Sequence, residues 1–248
     1  METPSPIVTD AVILMAGVGS RLGATGGALA KPLVQIAGRP LISYTFETLE
    51  RAGISTVHAV MGANSERLRH EIEQLLPASM QLQTIINSEW RKQNGVSVLA
   101  AAGKVRAPFF LLMGDHLFES AILDALLAEG DPGQVNLAID RKISSIFDID
   151  DAMKVKTDGA ECILTLAKDL TDYDAVDTGV FLCTDALFDY LRRAQRDGDC
   201  SLADGVRLMA ADAKVRAIDI GASWWQDVDT PEMLAHAENT LDQLALKS

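Results

Sequence analysis

The 248-residue sequence is poor in cysteine, in positive charge and in long apolar runs, and each shortage removes a class of protein. Its three cysteines, Cys162, Cys183 and Cys200, stand 21 and 17 residues apart. That spacing fits no zinc pattern and leaves an odd thiol in any disulfide scheme. A reducing, cytoplasmic location is therefore expected. No stretch approaches the roughly 18 apolar residues of a membrane helix. The opening METPSPIVTD is acidic and proline-bearing where an export signal would be basic and then greasy. Neither membrane insertion nor export is expected. Lysine and arginine number 22 against 35 aspartates and glutamates, a formal net charge of −13. Nucleic-acid binding needs a basic surface that releases counterions, so a nucleic-acid partner is excluded. If the ligands are phosphates, local cations or a metal must reverse the sign. Internal repeats, low-complexity tracts and linkers are absent as well. Present instead are 48% hydrophobic residues, ample for one buried core, and a single domain over residues 1–248 is expected.

Apolar strands are readable at Ala11–Met15, Val57–Met61, Leu82–Ile86, Phe109–Met113, Val135–Ile139, Val176–Cys183 and Val215–Ile220. Amphipathic helices alternate with them at Leu41–Ala52, Ser65–Leu76, Glu119–Ala128 and Ala186–Gln195, and a last helix follows Thr230. Thr230 suits its cap and Pro231 its first turn. This alternation predicts an α/β fold: a Rossmann-like, mostly parallel sheet with helices on both faces. It falters at about residues 140–178. There MKVKTDGAECILTL reads as two strands around a Thr157-Asp158-Gly159 turn, a small β-rich insertion on the same domain.

Ligands of such sheets sit beyond the carboxyl ends of the strands. Three polar segments follow strands there. The first, within LMAGVGSRLGATGGALAKP at residues 14–32, is glycine-rich and carries Arg21 and Lys31, a composition that can wrap phosphates with backbone N–H groups and neutralise them. It is not a dinucleotide fingerprint, because Leu22 stands where a small residue must pack. Nor is it a Walker loop, since no Gly-Lys-Ser/Thr follows the glycines. The second segment is Gly114-Asp115-His116. Asp115 offers the hard oxygen that Mg²⁺ takes, or else a cap for the next helix. His116 could face substrate or be a hydrogen-bonded structural histidine. In the third, Asp227-Val228-Asp229, one carboxylate is expected to reach the metal and the other to cap the final helix.

Ala16-Gly17-Val18-Gly19-Ser20-Arg21 with Lys31-Pro32, Gly38-Arg39-Pro40-Leu41, Gly114-Asp115 and Asp229-Thr230-Pro231 resemble the nucleotidyltransferases that make NDP-sugars and CDP-alcohols. The likeness covers essentially the whole chain. Within that superfamily, Glu89-Trp90-Arg91 with Asn94-Gly95-Val96-Ser97, Met113–Phe118, Asp177–Cys183 and Trp224–Pro231 resemble the CTP:inositol-1-phosphate cytidylyltransferases. Phosphocholine cytidylyltransferases and sugar-1-phosphate nucleotidylyltransferases share the first and last motifs and stay open. So, with less support, does a non-catalytic nucleotide-binding module.

The resemblance implies a CTP-dependent transfer of CMP to inositol-1-phosphate, giving CDP-inositol and pyrophosphate. The partners would be CTP and a phosphorylated small alcohol. Arg21 and Lys31 would be the catalytic cations, Arg21 on the β- and γ-phosphates and Lys31 toward the α-phosphate. Asp115 and Asp229 would hold Mg²⁺, with Asp227 the lesser candidate. The nucleotide would rest on Ala16, Gly17, Val18, Gly19, Ser20, Arg21, Lys31 and Asp115, its base on Asn94, Gly95 and Ser97. His116, Lys168, Asp177 and Thr178 would bind the acceptor. Some such enzymes are fused to a membrane phosphotransferase that consumes the product. This chain shows none before Ser248, so a separate phosphotransferase and a homodimer both stay open.

Overall fold

The computed structural model describes residues 7–17, 30–63, 65–159 and 161–245. Its elements begin with β1 (Asp10–Leu14), the short β2 (Gln35–Ile36) and β3 (Arg39–Pro40), α1 (Leu41–Arg51), β4 (Thr56–Met61), α2 (Glu66–Leu75) and β5 (Gln81–Ile86). Then come α3 (Asn94–Leu99), β6 (Phe109–Met113), β7 (His116–Phe118), α4 (Ala121–Glu129), β8 (Val135–Asp140), β9 (Lys154–Thr157) and β10 (Ile163–Ala167). The chain continues through β11 (Ala175–Cys183), α5 (Ala186–Ala194), α6 (Leu202–Ala211), β12 (Val215–Asp219), β13 (Trp225–Asp227) and α7 (Pro231–Ala245).

The central sheet runs β10-β9-β11-β6-β1-β4-β5, with β8 on β11 and β12 on β8. β1 is parallel to β4 and β6, β4 to β5, and β12 to β8, while β11 is antiparallel to β6, β8 and β9. Only β10 and β11 oppose the rest, so the sheet is mostly parallel, as its alternation with helices requires. Strands covered on both faces must be apolar throughout, and β6 (FFLLM) and β1 (DAVIL) are buried almost along their length.

Side-chain alternation divides the core between the two faces. Val12, Phe109, Leu111 and Phe181 pack under α3, α5 and α6. Ala11, Ile13, Phe110 and Leu112 pack under α1, α2 and α4. A third, smaller cluster of Val34, Ile36, Leu41, Leu117, Val228 and Ala237 ties the β2–β3 hairpin to β7 and α7. The predicted insertion is the antiparallel β9–β10 pair, and it joins the central sheet through β9 and β11. Among the described residues no helix is long and apolar enough to cross a membrane.

The polar strings 114–118 and 224–229 form more than the two loops read from the sequence. β7 and β13 pair as a small antiparallel sheet, with His116 opposite Asp227 and Phe118 opposite Trp225. This pairing draws two segments over 100 residues apart onto one edge of the central sheet. Thr230, as expected, caps α7: its hydroxyl accepts from the Met233 N–H at 3.3 Å. Asp227 therefore does not serve as that cap.

Candidate active site

The site grows from the aligned ends of β1 and β6, where Leu14 stands opposite Met113. Just beyond, the Gly114 N–H donates to the Leu14 carbonyl at 3.0 Å. A Cβ on Gly114 would lie 2.9 Å from that same oxygen and from Met15, so only glycine lets the two strand ends meet. Asp115 leaves this corner, and its carbonyl accepts from the Val228 N–H at 2.9 Å, bringing Asp229 alongside. Lys31 enters from a one-turn 3-10 helix, Lys31–Leu33, whose Pro32 and Leu33 are buried anchors. The Lys31 ammonium donates to Asp115 Oδ2 at 3.0 Å and to Asp229 Oδ1.

The electrostatics follow from this convergence. Burial works against the charged form of Lys31, but the two carboxylates outweigh it and hold its pKa above the ordinary lysine value. Burial also opposes ionisation of Asp115. The hydrogen bond and charge of His116, together with Lys31, overcome that and hold the carboxyl well below the usual carboxylate range. His116 Nδ1 lies 2.8 Å from Asp115 Oδ1. Its pKa is raised: burial lowers it, and the hydrogen bond to Asp115 and the charges of Asp115, Asp227 and Asp177 raise it by more. The imidazole stacks on Trp225 with centroids 6.0 Å apart, and Gly179 at φ +75° backs it. A Cβ on Gly179 would sit 2.8 Å from the ring. Asp227 is shifted upward by burial and by Asp229 and Asp115, with His116 offsetting part of the effect.

A cavity of about 470 Å³ opens beside this cluster, within the usual size of a small-ligand pocket. Asp115, His116, Asp177, Asp227, Asp229, Asn94 and Lys168 all line it. The structure thus brings seven of the sequence-predicted residues to one place, with Lys31 bonded to two of them. Lys168 sits on the rim, half exposed, paired with Asp151 Oδ1 at 2.5 Å. Lys154 ties that rim together by donating to the carbonyls of Lys168 at 2.7 Å and Asp150 at 3.1 Å.

Gly95, Ser97 and Thr178 are held elsewhere, and Asn94 is engaged where it lines the cavity. Asn94-Gly95-Val96-Ser97 is the start of α3. Asn94 Oδ1 accepts from the Leu202 N–H at 2.8 Å. Gly95 is pressed against the Cys200–Ser201 backbone, where a Cβ would come within 2.6 Å of Cys200 O. Ser97 is buried and accepts from Asn87 Nδ2 at 3.0 Å. Thr178 is fully buried and donates to the Ala138 carbonyl at 2.8 Å. The Ser97 and Thr178 hydroxyls are thus engaged in the interior rather than in the cavity. At the end of β1, Ala16 is half-buried and Gly17 exposed, with no atom of the described residues within 4 Å of where a Gly17 Cβ would lie. Val18, Gly19, Ser20 and Arg21 lie outside the described residues.

The sequence reading did not single out Asp140, Lys142 or the indole of Trp225. Asp140 is buried and accepts from Lys142 Nζ at 2.9 Å and from Trp225 Nε1 at 3.0 Å. Lys142 also reaches the Gly221 carbonyl at 2.7 Å, and both residues line the cavity. The signal was available: Asp140 closes β8 at the same sheet edge.

Asp177 carries a testable tension. Burial pushes its carboxyl up to about 6 from 3.8, with the Gly179 N–H at 2.7 Å and the His116 charge opposing only in part. A raised folded pKa means the native state binds more protons than the unfolded chain between those values. Stability contributed by this group is therefore full below pH 3.8 and lost as pH rises through about 6. The loss amounts to ~3 kcal/mol at neutrality. Asp177→Asn keeps an oxygen for Gly179 and should be more stable than the parent at pH 7, the difference shrinking toward pH 4. Urea melts across that range check it, and identical pH dependence of the two proteins would refute it.

The two hard carboxylates of Asp115 and Asp229 meet at one cationic point, and among the described residues no group of three or more His, Cys, Asp or Glu could hold a metal. Two protein oxygens with the remaining positions left to water and phosphate suit a divalent cation.

The family model for the MobA-like NTP transferase domain matches residues 11–146. The bifunctional IPC transferase and DIPP synthase of Aquifex aeolicus is 28% identical over 243 residues, covering 97% of this chain and 54% of that protein. The protein of the same name from Thermococcus kodakarensis is 31% identical, with 96% and 51% covered. The chain spans about half the length of these relatives. Among solved structures, the inositol-1-phosphate CTP transferase from T. maritima superposes with a TM-score of 0.83 at 22% identity, covering 94% of this chain and 98% of that one.

Proposed function

The chain belongs to the MobA-like NTP transferase family, and on that premise we propose that it is a cytidylyltransferase that joins CTP to inositol-1-phosphate. The products are CDP-inositol and pyrophosphate. The observation that carries this reading is the Lys31 ammonium set between Asp115 and Asp229, two carboxylates that line a cavity. The substrate names draw on the IPC transferase relatives and on the sequence motifs.

A phosphate oxygen of the acceptor attacks the α-phosphorus of CTP in line. A new P–O bond forms, the α–β bridge breaks, and its electron pair leaves on pyrophosphate. A phosphomonoester is already largely dianionic near neutrality, with a second pKa near 6, so no general base is needed. Catalysis is then positioning and charge stabilisation. Lys31 supplies a buried positive charge to the α-phosphate and the incoming phosphate. Asp115 and Asp229 would hold Mg²⁺, whose charge would offset that of the phosphates. His116 keeps Asp115 ionised and oriented. Ala16 and Gly17, just past the end of β1, would carry the triphosphate. Asp177 and Lys168 face the acceptor, one accepting from hydroxyls and the other donating to phosphate.

A second reading, an amino-alcohol phosphate as acceptor, draws on Asp148, Asp177 and Asp227. All three line the cavity, and none has a cation within ion-pair distance among the described residues. Pyrophosphate release should be measured for four NTPs against inositol-1-phosphate, phosphocholine, glycerol-3-phosphate and hexose-1-phosphates. The proposal expects the highest kcat/KM for CTP with inositol-1-phosphate. Turnover confined to UTP or dTTP with a hexose-1-phosphate would overturn it.

A further inference from the structure

Resting on that reading, we infer that Phe147 is the platform on which the acceptor's ring lies, and that it selects a cyclic polyol over an open-chain alcohol. Four large apolar side chains are exposed among the described residues: Ile7, Ile86, Phe147 and Leu164. Of these only Phe147, 49% exposed, lines the cavity. Exposed apolar surface in the wall of a pocket marks where a ligand's apolar face lands.

The ring is held rather than loose. Its centroid lies 4.6 Å from that of His236. His236 Nδ1 lies 2.6 Å from Gln226 Oε1, and the buried Gln226 donates through Nε2 to the Met233 carbonyl at 3.1 Å. Gln226 belongs to β13, immediately before Asp227 and three residues before Asp229. The support for the platform is therefore continuous with the strand that delivers the carboxylates.

The chemistry of the surroundings matches a cyclitol. Such a ring has an apolar C–H face and a rim of hydroxyls. An aromatic face is electron-rich and receives C–H groups. Around it Asp148, Asp151 and Asp177 present acceptors for the rim, and Lys142 and Lys168 present cations. An open-chain glycerol phosphate has the hydroxyls and lacks the face.

The test is steady-state kinetics of the full chain at saturating CTP, comparing the parent with Phe147→Ala and Phe147→Tyr. Inositol-1-phosphate, glycerol-3-phosphate and phosphocholine serve as acceptors. Phe147→Ala is expected to raise KM for inositol-1-phosphate about tenfold. Its kcat, its KM for CTP and its use of glycerol-3-phosphate should stay within about threefold, and Phe147→Tyr, which retains the ring, should stay near the parent. An unchanged KM for inositol-1-phosphate in Phe147→Ala would overturn the inference while leaving the proposed function standing. Equal losses with every acceptor would overturn it too, as would a shift seen only with phosphocholine, which would assign the ring to a trimethylammonium group. Absence of parent turnover with inositol-1-phosphate would overturn the functional reading itself and this inference with it.

Discussion

Lys31→Met is expected to lower kcat by roughly 10²–10³-fold while leaving divalent-cation binding undiminished. The Lys31 side chain is only 16% exposed, and its ammonium is bound by two carboxylates in a pocket that excludes much of the water. A charge in such a place acts through a low effective dielectric, and methionine keeps the stem while removing the charge. The same substitution takes away the cation that competes for Asp115 and Asp229. Mn²⁺ binding followed by EPR should therefore be as tight as in the parent, or tighter. Lys31→Arg should restore little, because a planar guanidinium cannot act as a compact point charge between two carboxylates. Full activity in Lys31→Met would remove the residue from the reaction.

The second large effect is the reverse combination. Asp229→Asn and Asp115→Asn should each lose kcat by a factor of about 10² or more and weaken Mn²⁺ binding by at least about tenfold. Asparagine keeps the shape but gives up the anionic oxygen, leaving Lys31 with a single carboxylate partner. Opposite signs for metal affinity in the lysine and aspartate variants distinguish their roles. If the two aspartates were only structural partners of Lys31, their substitution would lower thermal stability and leave Mn²⁺ affinity unmoved.

What was legible in the sequence and what was not have physical reasons. β1, β6, β8 and β11 are covered on both faces, so each reads as an apolar run by itself. The rule that ligands gather beyond strand ends then points to Gly114-Asp115-His116 and Asp227–Asp229 without any coordinates. The β7 and β13 strands are three residues each, too short to announce themselves, and exist because they pair with one another. Lys31 meets its partners across 84 and 198 residues, a convergence that no local pattern encodes. Asn94-Gly95 carries a turn signature, yet its glycine serves the close approach of α3 to the Cys200–Ser201 backbone. Tertiary packing overrode the dipeptide. Thr178 stands beside Asp177 on β11, but neighbouring positions on a strand point opposite ways: Thr178 turns into the core and Asp177 into the cavity.

The measurement that bears most directly on the account is a ³¹P NMR time course of the chain with CTP, inositol-1-phosphate and Mg²⁺. The account predicts that CTP and inositol-1-phosphate decline together while inorganic pyrophosphate and the two coupled resonances of a CDP-ester grow in equal amounts, and that Lys31→Met slows the change by roughly 10²–10³-fold. CTP left intact, or converted to CDP and inorganic phosphate by cleavage between its β- and γ-phosphates, would contradict it.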